Sequence, residues 1–140
     1  MSLPEHRTGT TLPTMELPID RTTIVAAAIA SQDFEDVHHD PGKASERGTA
    51  DIFMSINSTN GFVDRYIADW AGPGARITRA ALRLGVPMFA GDTLTMTGEI
   101  IDDTAGATIK ITGSNSRGVH LSGEVHVVNC GPGDQGGGRA

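Results

Sequence analysis

Hydrophobic patterning divides the chain into helical and strand-like parts. Residues 24–30, Ile-Val-Ala-Ala-Ala-Ile-Ala, form an uninterrupted apolar run. Thr22 or Thr23 stands where an N-cap belongs, so a helix over 24–32 is predicted, with little side-chain grip along its alanines. Between residues 55 and 70 the apolar positions Ile56, Phe62, Val63, Tyr66, Ile67 and Trp70 fall mostly at three- and four-residue spacings. That is the period of a helix with one buried face, and Gly72-Pro73-Gly74 ends it. A shorter helix is predicted over 41–47, with Pro41 at its first position and Gly48 as its stop. After residue 75 the pattern becomes strand-like. Leu94, Met96 and Gly98 alternate with Thr93, Thr95 and Thr97, and Ile109 and Ile111 alternate with polar neighbours. Strands are predicted over 75–86, 92–102, 108–114 and 119–128, joined by short hairpin connections at 90–92, 104–106 and 116–118. The result is an α+β fold: helices first, then an antiparallel meander with the long helix on one face. Such a sheet exposes an edge strand and a flat outer face. Pairing with a second subunit would cover both, so an oligomer is expected.

The chain has 140 residues, enough for one domain with one core. Residues 1–17 are polar and carry Pro4 and Pro13, so they are expected to form a flexible arm, at most ending in an edge strand. The tail 130–140 is too rich in glycine to offset its backbone entropy and is expected to be disordered. The folded domain is then 18–129. The formal charge is −6, from 11 Lys and Arg against 17 Asp and Glu. Lys43 and Lys110 are the only lysines, and no basic stripe occurs, which argues against nucleic-acid and anionic-membrane partners. Cys130 is the only cysteine, so an intrachain disulfide and a thiolate metal cluster are both excluded. A cytoplasmic location is the natural reading. The N-terminus lacks a signal-peptide layout, and no apolar run approaches membrane-spanning length.

The stretch Asp33-Phe34-Glu35-Asp36-Val37-His38-His39-Asp40 carries the candidate chemistry. Asp33 and His38 can flank one water as acid and base. Phe34 and Val37 would anchor the turn inward, and the nearly uncharged preceding helix would carry Asp33 toward the interior. Burial beside an imidazole is the setting that perturbs proton affinity. The opposing reading is a solvated acidic turn between helices. Metal ligation through His38 and His39 is disfavoured: adjacent histidines diverge, and His6, His120 and His126 are distant in sequence. Asp40 either orients one of these imidazoles or caps the helix beginning at Pro41. Arg79 and Arg83 share one face of a strand. They either pair with Glu99 or Glu124 across the sheet or meet a phosphate-bearing ligand. No glycine-rich phosphate loop and no nucleophile elbow is present.

These residues resemble the MaoC-like, R-specific enoyl-CoA hydratases. That family carries Asp-x-Asn-Pro-[apolar]-His, an Asp two positions on, and a small residue six positions after the histidine. Asp33, Val37, His38, Asp40 and Ala44 match it, with Glu35-Asp36 in place of Asn-Pro. The string Val86-Pro87-Met88-Phe89-Ala90-Gly91-Asp92 is similar to the family's P-x-[apolar]-x-G-D element. Asp51-Ile52-Phe53, Arg65-Tyr66, Asp69-Trp70-Ala71-Gly72-Pro73 and Leu82-Arg83-Leu84-Gly85-Val86-Pro87 resemble one subgroup, the small catalytic subunit of actinobacterial heteromeric steroid side-chain hydratases. The resemblance covers about residues 22–128.

The resemblance implies a hot-dog fold, a sheet wrapped around a central helix. It implies hydration of a trans-2-enoyl-CoA with a bulky steroid-derived acyl chain, with Asp33 and His38 as the catalytic pair. It implies a backbone N–H near Ser55 for the thioester oxygen, where Met54-Ser55 replaces the family's His-Gly. It implies a second hot-dog subunit as partner, CoA only as part of the substrate, and no metal or redox cofactor. Two other readings remain. A hot-dog thioesterase would use a carboxylate on the central helix, such as Asp64 or Asp69. A non-catalytic subunit would only complete another chain's pocket.

Overall fold

The computed structural model describes residues 3–129; the tail expected over 130–140, with Cys130, lies outside them. The elements in order are β1 (Met15–Pro18), α1 (Arg21–Ala30), α2 (Pro41–Glu46), α3 (Ile56–Ala71), β2 (Ala75–Leu84), β3 (Thr93–Asp102), β4 (Ala107–Asn115) and β5 (Gly118–Asn129). One 3-10 turn, Asp36–His38, lies between α1 and α2. This is the expected α+β, hot-dog arrangement, with a five-stranded antiparallel sheet and a long helix against it. Among the described residues no helix is long and apolar enough to cross a membrane.

Helix boundaries follow local chemistry. Asp20 caps α1 by accepting from the Thr23 N–H, so the cap lies earlier than the threonines suggested. A carboxylate at that position also meets the positive end of the helix, which a threonine hydroxyl does not. Asp40 caps α2, followed by Pro41 at its first position. Ser55 caps α3 by accepting from the Ser58 N–H. The apolar stripe of α3 buries Val63, Tyr66 and Ile67, whereas Ile56 stays exposed near its start.

The strand alternation places Leu94, Met96 and Ile100 of β3, Ile109 and Ile111 of β4, and Val125 and Val127 of β5 on the face toward α3. Each fully buried aliphatic side chain contributes roughly 1.5–3 kcal/mol of transfer free energy. Gly98 lies beneath Tyr66: a Cβ there would meet the Tyr66 ring at 3.3 Å, so glycine provides the room.

The long strands do not form the expected meander. The sheet order is β1-β3-β4-β5-β2, and β2 pairs with β5. The segment between Leu84 and Thr93 is therefore a crossover from the edge strand β2 past β5 and β4 to β3, not a hairpin. Residues 3–14 do not behave as the flexible arm expected for 1–17. Leu3 and Leu12 are buried in the core. Gly9 and Leu12 donate backbone hydrogen bonds to Ile100 and Gly98 at 2.8 and 2.9 Å, which extends the edge pairing that β1 continues. The outer side of β3 is thus covered by the chain itself, with the four-residue β1 as the edge strand there. At the opposite end, β2 pairs on one side only, with β5, and is the long edge strand among the described residues.

Candidate active site

Asp33 is set by how α1 ends. Gln32 adopts a left-handed conformation, with φ at 58°. Its N–H bonds to Ile29 O at 3.0 Å, and the Asp33 N–H reaches back to Ala28 O at 2.9 Å. This is the paired hydrogen-bond pattern of a Schellman cap with glutamine in the usual glycine position. It turns the chain sharply and fixes the backbone of Asp33. His38 sits at the end of the 3-10 turn and is buried, with 8% exposure. Its Nδ1 lies 2.7 Å from Phe53 O. A carbonyl only accepts, so Nδ1 carries the proton and Nε2 faces the other way. That Nε2 is 3.7 Å from Asp33 Oδ2. The distance is too long for a direct hydrogen bond, and one water can contact both groups from the side.

The pair opens into a cavity of about 350 Å³. One wall is Phe53, Met54 and Ile56 at the entrance to α3; the other is Leu84, Gly85, Val86 and Pro87 on leaving β2, with His120 from β5. Phe53 meets the His38 ring edge-on at 5.0 Å and Phe89 edge-on at 6.2 Å. Asp92 holds the Phe89 segment by accepting the Phe89 N–H at 2.9 Å, and it is itself paired with Arg117. The element resembling P-x-[apolar]-x-G-D thus supports the ring that backs His38.

The rationale for an inward turn needs correction. Phe34 is 66% exposed, and α1 buries only Ile24 and Ala28. What carries Asp33 and His38 inward is the helix cap and the Phe53 carbonyl. Asp40 does not orient an imidazole. Its carboxylate accepts from the Lys43 N–H at 3.1 Å, and the His39 Nε2 lies at 3.2 Å from Phe34 O. Ser55 lies between the lining residues Met54 and Ile56 and is buried at 1% exposure. Its side chain takes the Ser58 N–H, and the helical ladder begins with Thr59 N–H to Ser55 O. The N–H groups ahead of that ladder are those the helix itself leaves without partners.

Arg79 and Arg83 lie on the opposite face of β2 from the cavity. Leu82 and Leu84 point toward α3, so Arg83 points away, and it lines an outer depression with Ala81, Ser122 and Glu124. Opposite the two arginines in register stand His126 and Ser122, not Glu99 or Glu124. Asp64 lines a groove two turns further along α3, about 12 Å from Ile56 by helical rise. Asp69 lines a separate recess with Pro13 and Trp70. Among the described residues no three His, Cys, Asp or Glu side chains converge to hold a metal ion.

One ion pair braces the turn and a second ties the start of α1 to the segment before Ile52. Arg47 grips Asp36 through Nε at 2.8 Å and Nη2 at 3.0 Å, and Arg21 donates to Asp51 at 2.8 Å. The hydrogen bonds from Arg47 and Arg21 hold the Asp36 and Asp51 carboxyls below their usual 3.8. A carboxyl lowered on folding stabilises the fold above its unfolded pKa and loses that effect as pH falls through its folded value. The melting temperature is therefore expected to fall below pH 3.8 and to be insensitive to these two groups at neutral pH. Asp36→Asn should flatten the acid limb in thermal melts from pH 7 to 3. An unchanged limb would remove Asp36 from this account.

No family model matches the chain. The chain is 46% identical over 120 residues to the 3-oxo-4,17-pregnadiene-20-carboxyl-CoA hydratase beta subunit of Mycobacterium tuberculosis, covering 85% of this chain and 93% of that protein. A chain of the ChsH1–ChsH2 complex from Mycobacterium tuberculosis matches with a TM-score of 0.85 at 45% identity, over 87% of this chain and 97% of that one. The unliganded R-hydratase PhaJ1 of Pseudomonas aeruginosa matches with a TM-score of 0.83 at 20% identity, over 92% and 86% of the two chains, a likeness of fold. Nearly the whole domain is shared in sequence as well as in shape, and the chain belongs to the MaoC-like hydratase family.

Proposed function

We propose that this chain is the catalytic subunit of an enoyl-CoA hydratase, with Asp33 and His38 as its acid–base pair. The observation that carries the reading is the 3.7 Å gap between Asp33 Oδ2 and His38 Nε2 at the floor of a cavity. The pair holds one exchangeable proton. As the water oxygen bonds to C3 of the enoyl thioester, the unprotonated member takes a proton from that water. The C2–C3 π electrons move toward the thioester oxygen, giving an enolate-like intermediate. The protonated member then gives its proton to C2, and the double bond becomes C–OH and C–H. Proton exchange across the gap, from the member that took the water's proton to the one that gave its own to C2, restores the pair.

The enolate oxygen needs donors that are in place before the charge develops. Backbone N–H groups at Ser55 and Ile56, at the positive end of α3, supply them in this reading. A side chain at Ser55 does not interfere, because its hydroxyl is turned to Ser58 at 2.8 Å.

The acyl group is assigned to the groove that continues from the cavity. Ile56 and Leu84 belong to both, and the groove of about 580 Å³ runs on between α3 and β2 past Val63, Ala80 and Leu82. Its mainly apolar lining, with Asn60 and Asp64 as the polar members, suits a bulky hydrocarbon, and the name of the relative from M. tuberculosis supports a steroid-derived one. CoA enters only as part of the substrate. The open β2 edge is assigned to a second hot-dog subunit, a pairing supported by the complex in which the similar chain was solved. The thioesterase reading is weaker on geometry, since Asp64 is in the groove rather than beside the paired acid and base.

The test is an assay of the assembled enzyme with 3-oxo-4,17-pregnadiene-20-carboxyl-CoA. Hydration bleaches the absorbance of the conjugated thioester without releasing thiol. Thiol release at the rate of bleaching would replace hydratase by thioesterase.

A further inference from the structure

A second histidine reaches the same cavity by an irregularity in the sheet. Gly113 of β4 stands opposite Leu121, but Ser114 stands opposite Val119. His120 is therefore the extra residue of a β-bulge. Bulges re-aim side chains beside functional sites. Here the bulge turns His120 inward at 4% exposure and leaves Val119 48% exposed. The imidazole is bonded at both ends. Its Nδ1 donates to Val86 O at 2.7 Å, and its Nε2 lies 2.9 Å from the hydroxyl of Thr59, which is fully buried. With the proton on Nδ1, the neutral ring accepts at Nε2 from the Thr59 O–H.

Val86 lines one wall of the cavity, and Thr59 belongs to α3, whose first residue Ile56 lines the other. Thr59 closes the first turn of α3, one turn beyond Ser55. Val86 follows Gly85, and both are held to β5 through Gly85 N–H to His120 O at 2.7 Å and Val86 N–H to Val119 O at 2.9 Å. We propose that His120, through Thr59, is a positioning residue that fixes the distance between these walls. It thereby aims the first turn of α3 at the reacting thioester. Its nitrogens are both engaged, so it does not exchange protons with the substrate. That division separates it from His38, whose Nε2 is open to the cavity. The inference rests on the hydratase reading of the same site.

The link can be cut from either end. Thr59→Val keeps the shape and removes the hydroxyl; His120→Asn keeps a donor near the Nδ1 position and loses the bond to Thr59. In the assembled enzyme with 3-oxo-4,17-pregnadiene-20-carboxyl-CoA, each should lower kcat about tenfold, the scale of a small misplacement of reacting groups, with KM within about twofold. The double variant should lose little more than either single one, because both remove one interaction. Thr59→Ser, which retains the hydroxyl, should restore kcat. A native kcat in Thr59→Val or in His120→Asn, a loss confined to KM, failure of Thr59→Ser to restore kcat, or fully additive losses would each overturn the proposal. An inactive native enzyme would instead overturn the hydratase reading, so the two failures are distinguishable.

Discussion

Asp33→Asn and His38→Ala are each expected to lower kcat for enoyl-CoA hydration by about 10²-fold or more, equivalent to roughly 3 kcal/mol of transition-state stabilisation. The site offers no substitute for either. Asparagine keeps the size of Asp33 and can neither take nor release the proton. Alanine at position 38 removes the Nε2 that stands 3.7 Å from Asp33 Oδ2 and leaves Phe53 O without its donor at 2.7 Å. In the proposed mechanism the two groups act on one water, so the double variant should be little worse than the poorer single one. His39→Ala is the matched control. That ring is outside the cavity lining and meets Phe34 O at 3.2 Å, so its loss should leave the rate near native. The measurement is the initial bleaching rate of the enoyl thioester in the assembled enzyme, alongside a thermal melt of each variant. Native rates in both Asp33→Asn and His38→Ala would remove the pair from the mechanism.

The spacing of Asp33 and His38 is visible in the sequence because the turn between them is short and its hydrogen bonds are local. The helices are visible for the same reason. Pro41 after Asp40 marks one start, and the stripe through Val63, Tyr66 and Ile67 marks a buried face. Strand positions follow from alternation, and strand order does not. Periodicity tells which face of β2 is buried and carries no information about which strand lies beside it. The pairing of β2 with β5 depends on close approaches at Gly85 and Gly123, which exist only once the strands meet. Leu3 and Leu12 are isolated among polar residues and prolines, so nothing local announces that they are buried in the core. His120 shows the limit most directly. Strict alternation through Leu121, Gly123, Val125 and Val127 puts His120 on the outer face; the bulge opposite Gly113 and Ser114 reverses it. A bulge is a mismatch between two strands, and neither strand alone records it.

Gly85→Ala is expected to destabilise the protein by about 3 kcal/mol, the upper end of the usual cost of overpacking. For a domain of this size that lowers the melting temperature by roughly 10 °C. The cause is steric. A Cβ on Gly85 would stand well inside the van der Waals radius of Val119 O, a backbone atom that cannot rotate aside. The strands must separate there, and the bond from Gly85 N–H to His120 O is lost with them. Leu84, Gly85, Val86 and Pro87 are one wall of the cavity, so the fold and the site fail together. Activity should fall at temperatures where the variant is still folded, because the wall moves before the core melts. Gly61→Ala provides the contrast. Gly61 is inside α3 and exposed, and a Cβ added there would meet nothing within 4 Å. At that position the extra methyl group removes the entropy that glycine costs a helix and should stabilise by about 1 kcal/mol. The same chemical change thus carries opposite signs at two positions. Thermal melts of both variants decide it: equal stability of Gly85→Ala and the native chain would mean that β2 and β5 do not approach as closely as the fold requires.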